Sequence, residues 1–325
     1  MKAMVYEKFG SPSDVLHLDE VEKPVPNDDE VLVNIQAASI NFGDMALVKG
    51  EPFLIRLMGY GLLKPKHAIP GGDIAGLVEA VGKNVTQFQP GDEIFADLGR
   101  CGFGAFAEYV AVPEAELVSK PANMTFEQAT AVPQAAVVAL QGLRDKGHIQ
   151  PGQMVLINGA SGGVGSFAVQ IAKALGGEVT AVCSTRNIDM VRSIGADHVI
   201  DYTQEDFTQG ESHYDLIFDI VANRSVSDYK RALNPGGTYV ACAFNPTSLF
   251  LGPFISMTSG KKVTALSHQP KVEDLNFMRK LLEDGKVVPV IDKCYPLNEV
   301  PEAMQYLEQG RHRGKVVIKV ATWVK

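Results

Sequence analysis

Asn158-Gly159-Ala160-Ser161-Gly162-Gly163-Val164-Gly165 is the stretch on which the fold turns. Ahead of it, Met154-Val155-Leu156-Ile157 is a short apolar run of the kind that forms a buried strand. Behind it, Val164, Phe167, Ala168, Ile171, Ala172 and Leu175 recur at the spacing of one helical face. Glycines at such a corner let the backbone turn tightly. The helix start then offers unpaired N–H groups and the positive end of its dipole, and both favour a pyrophosphate. The usual dinucleotide pattern is Gly-x-Gly-x-x-Gly; here Ala160 holds the first position, with Gly162 and Gly165 at the second and third. Ala160, Ser161, Gly162, Gly163, Val164 and Gly165 are thus candidate phosphate contacts, against the alternative of a strand–helix corner that binds nothing.

Toward the C-terminus the alternation continues. Val179-Thr180-Ala181-Val182 reads as a strand, Ile188 to Ile194 as a short helix closed by Gly195, and 197–200, 216–219, 238–241 and 262–266 as further strands. Strand and helix in regular alternation predict an α/β unit with a parallel, doubly wound sheet covered on both faces. NAD binders place an Asp or Glu at the end of the second strand, about 20 residues past the glycines, to accept from the ribose 2′-OH. This chain has Cys183-Ser184-Thr185-Arg186 instead. With no carboxylate to repel a 2′-phosphate, and with Ser184, Thr185 and Arg186 able to donate to one, the reading favours NADPH. Arg186 as a solvated surface charge stays open.

Toward the N-terminus the style changes. Val31-Leu32-Val33-Asn34-Ile35, Glu93-Ile94-Phe95-Ala96 and Phe106-Ala107-Glu108-Tyr109-Val110 are closely spaced β-favouring runs between Gly and Pro punctuation, as in a small barrel or sandwich. Residues 126–146 carry a helical pattern. Beyond the α/β array come helices near 272–283 and 300–308 and the strand Lys315-Val316-Val317-Ile318, expected to rejoin the N-terminal unit. A net charge of −8 argues against general nucleic-acid affinity. No apolar run is long enough to span a bilayer, and the opening residues lack the apolar core of a secretory signal. The four cysteines are scattered without a Cys-x-x-Cys, which fits a reducing compartment, and the expected location is cytoplasmic.

Taken in order, several motifs resemble the medium-chain dehydrogenase/reductase superfamily, in its zinc-free quinone oxidoreductase-like branch. They are Ala37-Ala38-Ser39-Ile40-Asn41-Phe42-Gly43-Asp44, Pro70-Gly71-Gly72-Asp73-Ile74-Ala75-Gly76, Gly91-Asp92, Gly104-Ala105-Phe106-Ala107-Glu108-Tyr109, the glycine turn, Gly195-Ala196-Asp197-His198-Val199-Ile200-Asp201-Tyr202 and Gly314-Lys315-Val316-Val317. The resemblance implies a GroES-like catalytic domain from 1–122 and 268–325, a Rossmann domain from 123–267, and a homodimer joined through the Rossmann sheets. Zinc members of the family carry Cys where this chain has Asn41, Gly-His-Glu where it has Gly71-Gly72-Asp73, and a further Cys near Val132-Pro133-Gln134-Ala135. The lobe of four close cysteines is missing too, with Cys101 alone, and the seven histidines form no close pair with each other or with cysteine. No metal is expected, since a tetrahedral zinc site needs three or four N or S ligands.

Without a Lewis acid, activated acceptors such as quinones and α,β-unsaturated carbonyls are the expected substrates, because their conjugation spreads the developing charge. Asn41, in the lost cysteine's place, is the candidate group at the reacting centre, able to bond a carbonyl or the nicotinamide ribose; an Asx-type turn is its alternative. Asp44 either supports Asn41 or caps the following helix. The apolar stretch between Lys49 and Pro70 either lines the acceptor pocket or packs on the core, with Tyr60 a candidate proton or hydrogen-bond donor. The resemblance adds Tyr202 at a 2′-phosphate, Asp219 and Val221 beside the ribose and nicotinamide, and Arg313 or Lys315 near the phosphates. Phe244 and Asn245 join them as residues beyond a strand's carboxyl end. Two other readings remain: an alcohol, aldehyde or enoyl-thioester reductase of the same fold, and an NADPH-binding protein with a regulatory or structural role.

Overall fold

A computed structural model describes residues 1–210, 213–242, 252, 256 and 260–320, with the Met58 side chain left aside. The chain forms two compact units, one from 1–134, 270–283 and 289–325, the other from 135–269 and 284–288.

The second unit is built on six parallel strands lying in the order His198–Asp201, Glu178–Cys183, Met154–Asn158, Tyr214–Asp219, Leu233–Ala241 and Lys262–Ala265. Ranked along the chain this is 3-2-1-4-5-6, the Rossmann order. Val155, Leu156, Ile157, Leu216, Ile217 and Phe218 are fully buried, as expected of central strands covered on both faces. The order reverses between Met154–Asn158 and Tyr214–Asp219, where Asn158 lies in register with Asp219. Ligands of doubly wound sheets sit at such a reversal, beyond the strands' carboxyl ends. The glycine turn leaves the sheet there and runs into the helix Gly163–Ala174. Gln170 on that helix bonds both the N–H and the C=O of Val288, at 2.8 and 2.9 Å, which ties 284–288 to this unit.

The first unit carries a seven-stranded sheet, Ile291–Pro296, Lys315–Lys319, Glu30–Ile40, Asp73–Val81, Glu93–Asp97 and Val118–Ser119, with Tyr109–Pro113 also paired to Glu30–Ile40. Together with its covering elements this is the GroES-like architecture. Lys315–Lys319 pairs antiparallel with Glu30–Ile40, Val316 facing Ile40, so the late segment does rejoin the early one. The expected strand at 106–110 lies later, at Tyr109–Pro113, because Ala105 and Phe106 donate their N–H groups to the Gly71 and Pro70 carbonyls instead. The helical pattern of 126–146 is broken into Phe126–Thr130 and Pro133–Leu140, with a wider turn at Gln141–Lys146; Pro133 supplies no N–H to continue the first helix. Among the described residues no helix is long and apolar enough to cross a membrane.

Two glycines make the nucleotide turn possible. Gly159 sits at φ 89°, in the left-handed region that side chains avoid. A Cβ on Gly165 would come 2.1 Å from the Gly159 carbonyl oxygen and 2.8 Å from the Ala160 backbone. We expect Gly165→Ala to lower stability by about 2–3 kcal/mol, because the obstacle is backbone and cannot rotate away. The loss should show as a reduced urea midpoint at unchanged m-value; an unchanged midpoint would mean that the helix can recede from the turn.

Candidate active site

The polar centre of the first unit follows from strand register. Ser39 lies opposite Asp73 on neighbouring strands, and Val316 opposite Ile40. Asn41, at the end of Glu30–Ile40, therefore meets Lys315, the first residue of its own strand, while Asp73 opens the strand on the other side. Side chains two apart on a strand share a face, so Ser39 and Asn41 both reach Asp73. Ser39 Oγ donates to Asp73 Oδ2 at 3.0 Å, Asn41 Nδ2 donates to the same oxygen at 2.8 Å, and the Gln134 N–H donates to Asp73 Oδ1 at 3.0 Å. Lys315 Nζ bonds Asn41 Oδ1 and lies 3.4 Å from Asp73 Oδ2. Asp73, Lys315 and Asn41 are 0, 3 and 8 % exposed. An ammonium only donates and a carboxylate only accepts, so these two partners define which end of the Asn41 amide is nitrogen. One N–H and one oxygen lone pair of Asn41 are left over.

Lys315 was expected near the cofactor phosphates. It is buried, and its ammonium is engaged by Asn41, Asp73 and the Ile40 carbonyl at 3.3 Å, which leaves it no free face for a phosphate. Asp44, by contrast, does what an N3 residue does in a helix cap. Its Oδ2 accepts the Asn41 backbone N–H at 2.8 Å at the start of the helix Phe42–Lys49. It therefore supports Asn41 through the backbone. Burial pushes the Asp44 carboxyl up to about 7; the Asn41 N–H pulls it down, the Asp73 charge adds to the rise, and Lys315 and Asp97 contribute in opposite senses. Burial also drives Asp73 upward, opposed by Lys315 and by the Asn41 and Ser39 donors. The nearby Tyr6 phenol is pushed up to about 12 by burial and by Asp44. The sequence signal for Asp73 is a carboxylate at the head of the apolar run Ile74-Ala75-Gly76-Leu77-Val78.

On the other unit, no side chain caps the helix start at Gly162, which leaves its first N–H groups for a ligand. Asn187, which sequence reasoning missed, organises the flanking hydroxyls. Its Nδ2 donates to Ser161 Oγ at 2.9 Å and to Ser184 Oγ at 3.3 Å. Each hydroxyl accepts that bond and keeps its own hydrogen to donate. The Asn187 Oδ1 is buried with no partner, an orphan consistent with a polar ligand here. Its position one helical turn after Ser184 was the only available hint. Thr185 departs from expectation: its hydroxyl donates to Asp201 and so cannot also donate to a phosphate. Bonds from Thr185 and Thr203 hold the Asp201 carboxyl below its usual range. Arg186 and Tyr202 are exposed at the ends of neighbouring strands.

Asp219 also departs from expectation. It is fully buried, with Oδ1 accepting from Asn158 Nδ2 at 2.8 Å and from the Val221 and Ala222 N–H groups, and Oδ2 accepting from Tyr239 at 2.8 Å. It braces the strand ends at the sheet's reversal instead of facing a ribose. Val221 is exposed at that turn. Arg313 is exposed in the first unit, its backbone N–H on Asp292. Phe244 and Asn245 lie outside the described residues.

Tyr60 ends the short helical segment Arg56–Tyr60 and is half-buried against Phe103, ring centroids 5.9 Å apart. Five apolar side chains of that stretch are not packed on the core: Phe53, Leu54, Leu57 and Leu62 are exposed, and Leu63 is 89 % exposed.

Comparison with known proteins bears on this arrangement. Residues 27–122 match the alcohol dehydrogenase GroES-like domain, and 194–318 match the zinc-binding dehydrogenase domain. The chain belongs to the medium-chain dehydrogenase/reductase superfamily, among its quinone oxidoreductase-like members, and it is an NAD(P)H-dependent oxidoreductase of that type. It is 32 % identical over 331 residues to the chloroplast envelope quinone oxidoreductase homolog of Arabidopsis thaliana, covering 98 % of each. It is 34 % identical to the chloroplastic NADPH-dependent alkenal/one oxidoreductase of the same plant, covering 98 % of this chain and 79 % of the relative. The quinone oxidoreductase of Coxiella burnetii superposes with a TM-score of 0.85 at 28 % identity over 99 % of both chains.

The Asp44 carboxyl gives a test of the polar centre. It holds its proton more tightly folded than unfolded, so between the free value of 3.8 and about 7 the native state binds more protons and stability falls as pH rises. Asp44→Asn should remove that slope and be the more stable protein above pH 7, by on the order of a few kcal/mol. Urea unfolding across pH 4–8 measures it. Parallel wild-type and variant curves over that window would contradict the burial of an ionising carboxyl at this position.

Proposed function

We propose that this protein reduces quinones or α,β-unsaturated carbonyls with NADPH and without zinc. The observation that carries the reading is the chemistry of the donors around Asn41. An amide stands where zinc-binding family members carry a thiolate, Gly72 stands where they carry an imidazole, and the amide is held by a carboxylate and a buried ammonium. The Lys315 ammonium touches both Asn41 Oδ1 and Asp73, where it would repel a dication. Among the described residues no group of three or more His, Cys, Asp or Glu is placed to hold a metal. The donor set does not fit zinc.

The other unit fits a dinucleotide, with an uncapped helix start, two hydroxyls held as donors and an orphaned buried oxygen beside them. When bound, the reduced nicotinamide supplies a hydride, and a conjugated acceptor spreads the resulting charge over its own π system. Asn41 uses its remaining N–H to orient the acceptor carbonyl and stabilise negative charge on its oxygen. Tyr60 is proposed as a donor to the same oxygen. Ser184, Arg186 and Tyr202 hold the 2′-phosphate, with Ser161 and the turn amides on the pyrophosphate and Val221 and Arg313 as further cofactor contacts. The carboxylate of Asp201, at the end of the neighbouring strand, is engaged by Thr185 and Thr203, which supports phosphate over a bare hydroxyl. The relative named as an NADPH-dependent alkenal/one oxidoreductase supports the same cofactor and acceptor class. A homodimer joined through the Rossmann sheets belongs to the same proposal.

Loss of NADPH absorbance with a quinone, an enone and a saturated aldehyde in parallel, after chelator treatment, tests the reading. Quinone or enone turnover should persist and the aldehyde should not react. Activity abolished by chelation and restored by zinc would overturn it, and NADPH binding without turnover of any acceptor would favour a binding protein. Arg186→Ala should raise the KM for NADPH by about tenfold, the weight of one charged hydrogen bond, while the KM for NADH stays unchanged. An equal change for both cofactors would remove Arg186 from the 2′-phosphate site.

A further inference from the structure

We infer that Lys315 and Asp73 are positioning residues for this reaction: between them they hold the Asn41 carboxamide in one of its two orientations, so that an N–H always faces outward as donor. The inference rests on the proposed reduction of a carbonyl acceptor. A free Asn side chain turns over by half a rotation with almost no change in shape. Here the observed orientation places Nδ2 on the Asp73 carboxylate and Oδ1 on the Lys315 ammonium. Turned over, nitrogen would face the ammonium and oxygen the carboxylate, two like-with-like contacts in a site from which water is excluded.

Lys315 acts twice in this arrangement. It bonds Oδ1 directly, and it is the cation that acts on the buried carboxyls of Asp44 and Asp73. Without it, Asp73 would be left in the interior with three neutral donors, Ser39, Asn41 and Gln134, and two acidic neighbours. A buried carboxylate in that position takes up a proton. Protonated Asp73 could donate to Oδ1 as readily as accept from Nδ2, and the amide would lose its preferred sense. The contact joins residues 274 positions apart in sequence, so it exists only when Lys315–Lys319 has docked against Glu30–Ile40. Lys315 replaces what a metal would otherwise do in holding these groups, with a single charge and no open coordination position.

A double-mutant cycle on enone reduction at saturating NADPH tests this. Asn41→Ala and Lys315→Met should each lower kcat by about 10²-fold with the KM for NADPH unchanged, and the double variant should be no worse than either alone. Multiplying losses would overturn the inference, since Lys315 would then act independently of Asn41. The second readout needs no turnover: the Asn41 side-chain amide signals in nitrogen-15 NMR, assigned by their disappearance in Asn41→Ala. Wild type should show one N–H protected from exchange, and Lys315→Met should lose that protection. Should Lys315→Met fail to fold, Lys315→Gln keeps a donor to Oδ1 while removing the charge, and its amide should also lose protection. An Asn41 amide equally protected in the lysine variant overturns the inference. If the wild type reduces no acceptor, the proposed function falls and the NMR comparison alone decides the positioning role.

Discussion

The Lys315–Asp73 contact, with Asn41 between them, is the constraint on which the catalytic unit depends. It joins the strand nearest the chain's end to two strands formed from its first hundred residues, and it does so in the buried interior. Breaking such a pair by removing one partner costs about 3–5 kcal/mol, because the survivor is left charged in a poor solvent, although the net worth of the pair itself is small. The pair therefore contributes little as glue and much as a register pin. A slip of one residue between Lys315–Lys319 and Glu30–Ile40 would carry Lys315 to the opposite face and leave Asp73 without its cation.

The Rossmann unit has a corresponding pin in Asp219. Its carboxylate gathers Asn158, Tyr239 and the turn at Val221 and Ala222, and so joins the strands on both sides of the order reversal. The glycine turn departs from Asn158, directly beside it. The glycine corner is thus anchored by a fully buried carboxylate behind it. Asn187 has the same kind of role on the flank, holding Ser161 and Ser184 so that both hydroxyls keep a hydrogen to give. In both units the groups most exposed to a ligand are held by buried polar residues behind them, which is how a site is kept in one geometry.

In the proposed metal-free reading, the changed ligand positions have a further consequence. A dication would orient its ligands by coordination, whereas an amide at the thiolate position is by itself free to turn over. The buried ammonium supplies direction, and the raised carboxyl of Asp44 records first how deeply it is buried and only second the acidic neighbours beside it. Under that proposal, chemistry without a Lewis acid relies on hydrogen bonds and on acceptors that carry their own electron sink, which is the physical link between this cluster and the proposed substrates.

The Rossmann unit was legible from sequence because its signals are local: glycines at fixed offsets, apolar runs for strands and one helical face, each contained within a few tens of residues. Asn41 and Asp44 were legible as a pair for the same reason, and the missing zinc ligands could be read position by position. What the tertiary structure alone decided was partnership. Lys315 reads as a surface or phosphate-binding cation until strand pairing buries it on Asn41; Asp219 reads as a ribose contact until the strands on either side bury it on Asn158 and Tyr239; Thr185 reads as a phosphate donor until Asp201, on the next strand, takes its hydrogen. For the apolar stretch holding Phe53, Leu54, Leu57, Leu62 and Leu63 the sequence left core packing and a pocket lining both open, and the structure leaves those five side chains exposed. Residue type declares what a side chain can donate or accept. Which group receives it depends on register between segments far apart in the chain, and that is settled only when the sheets close.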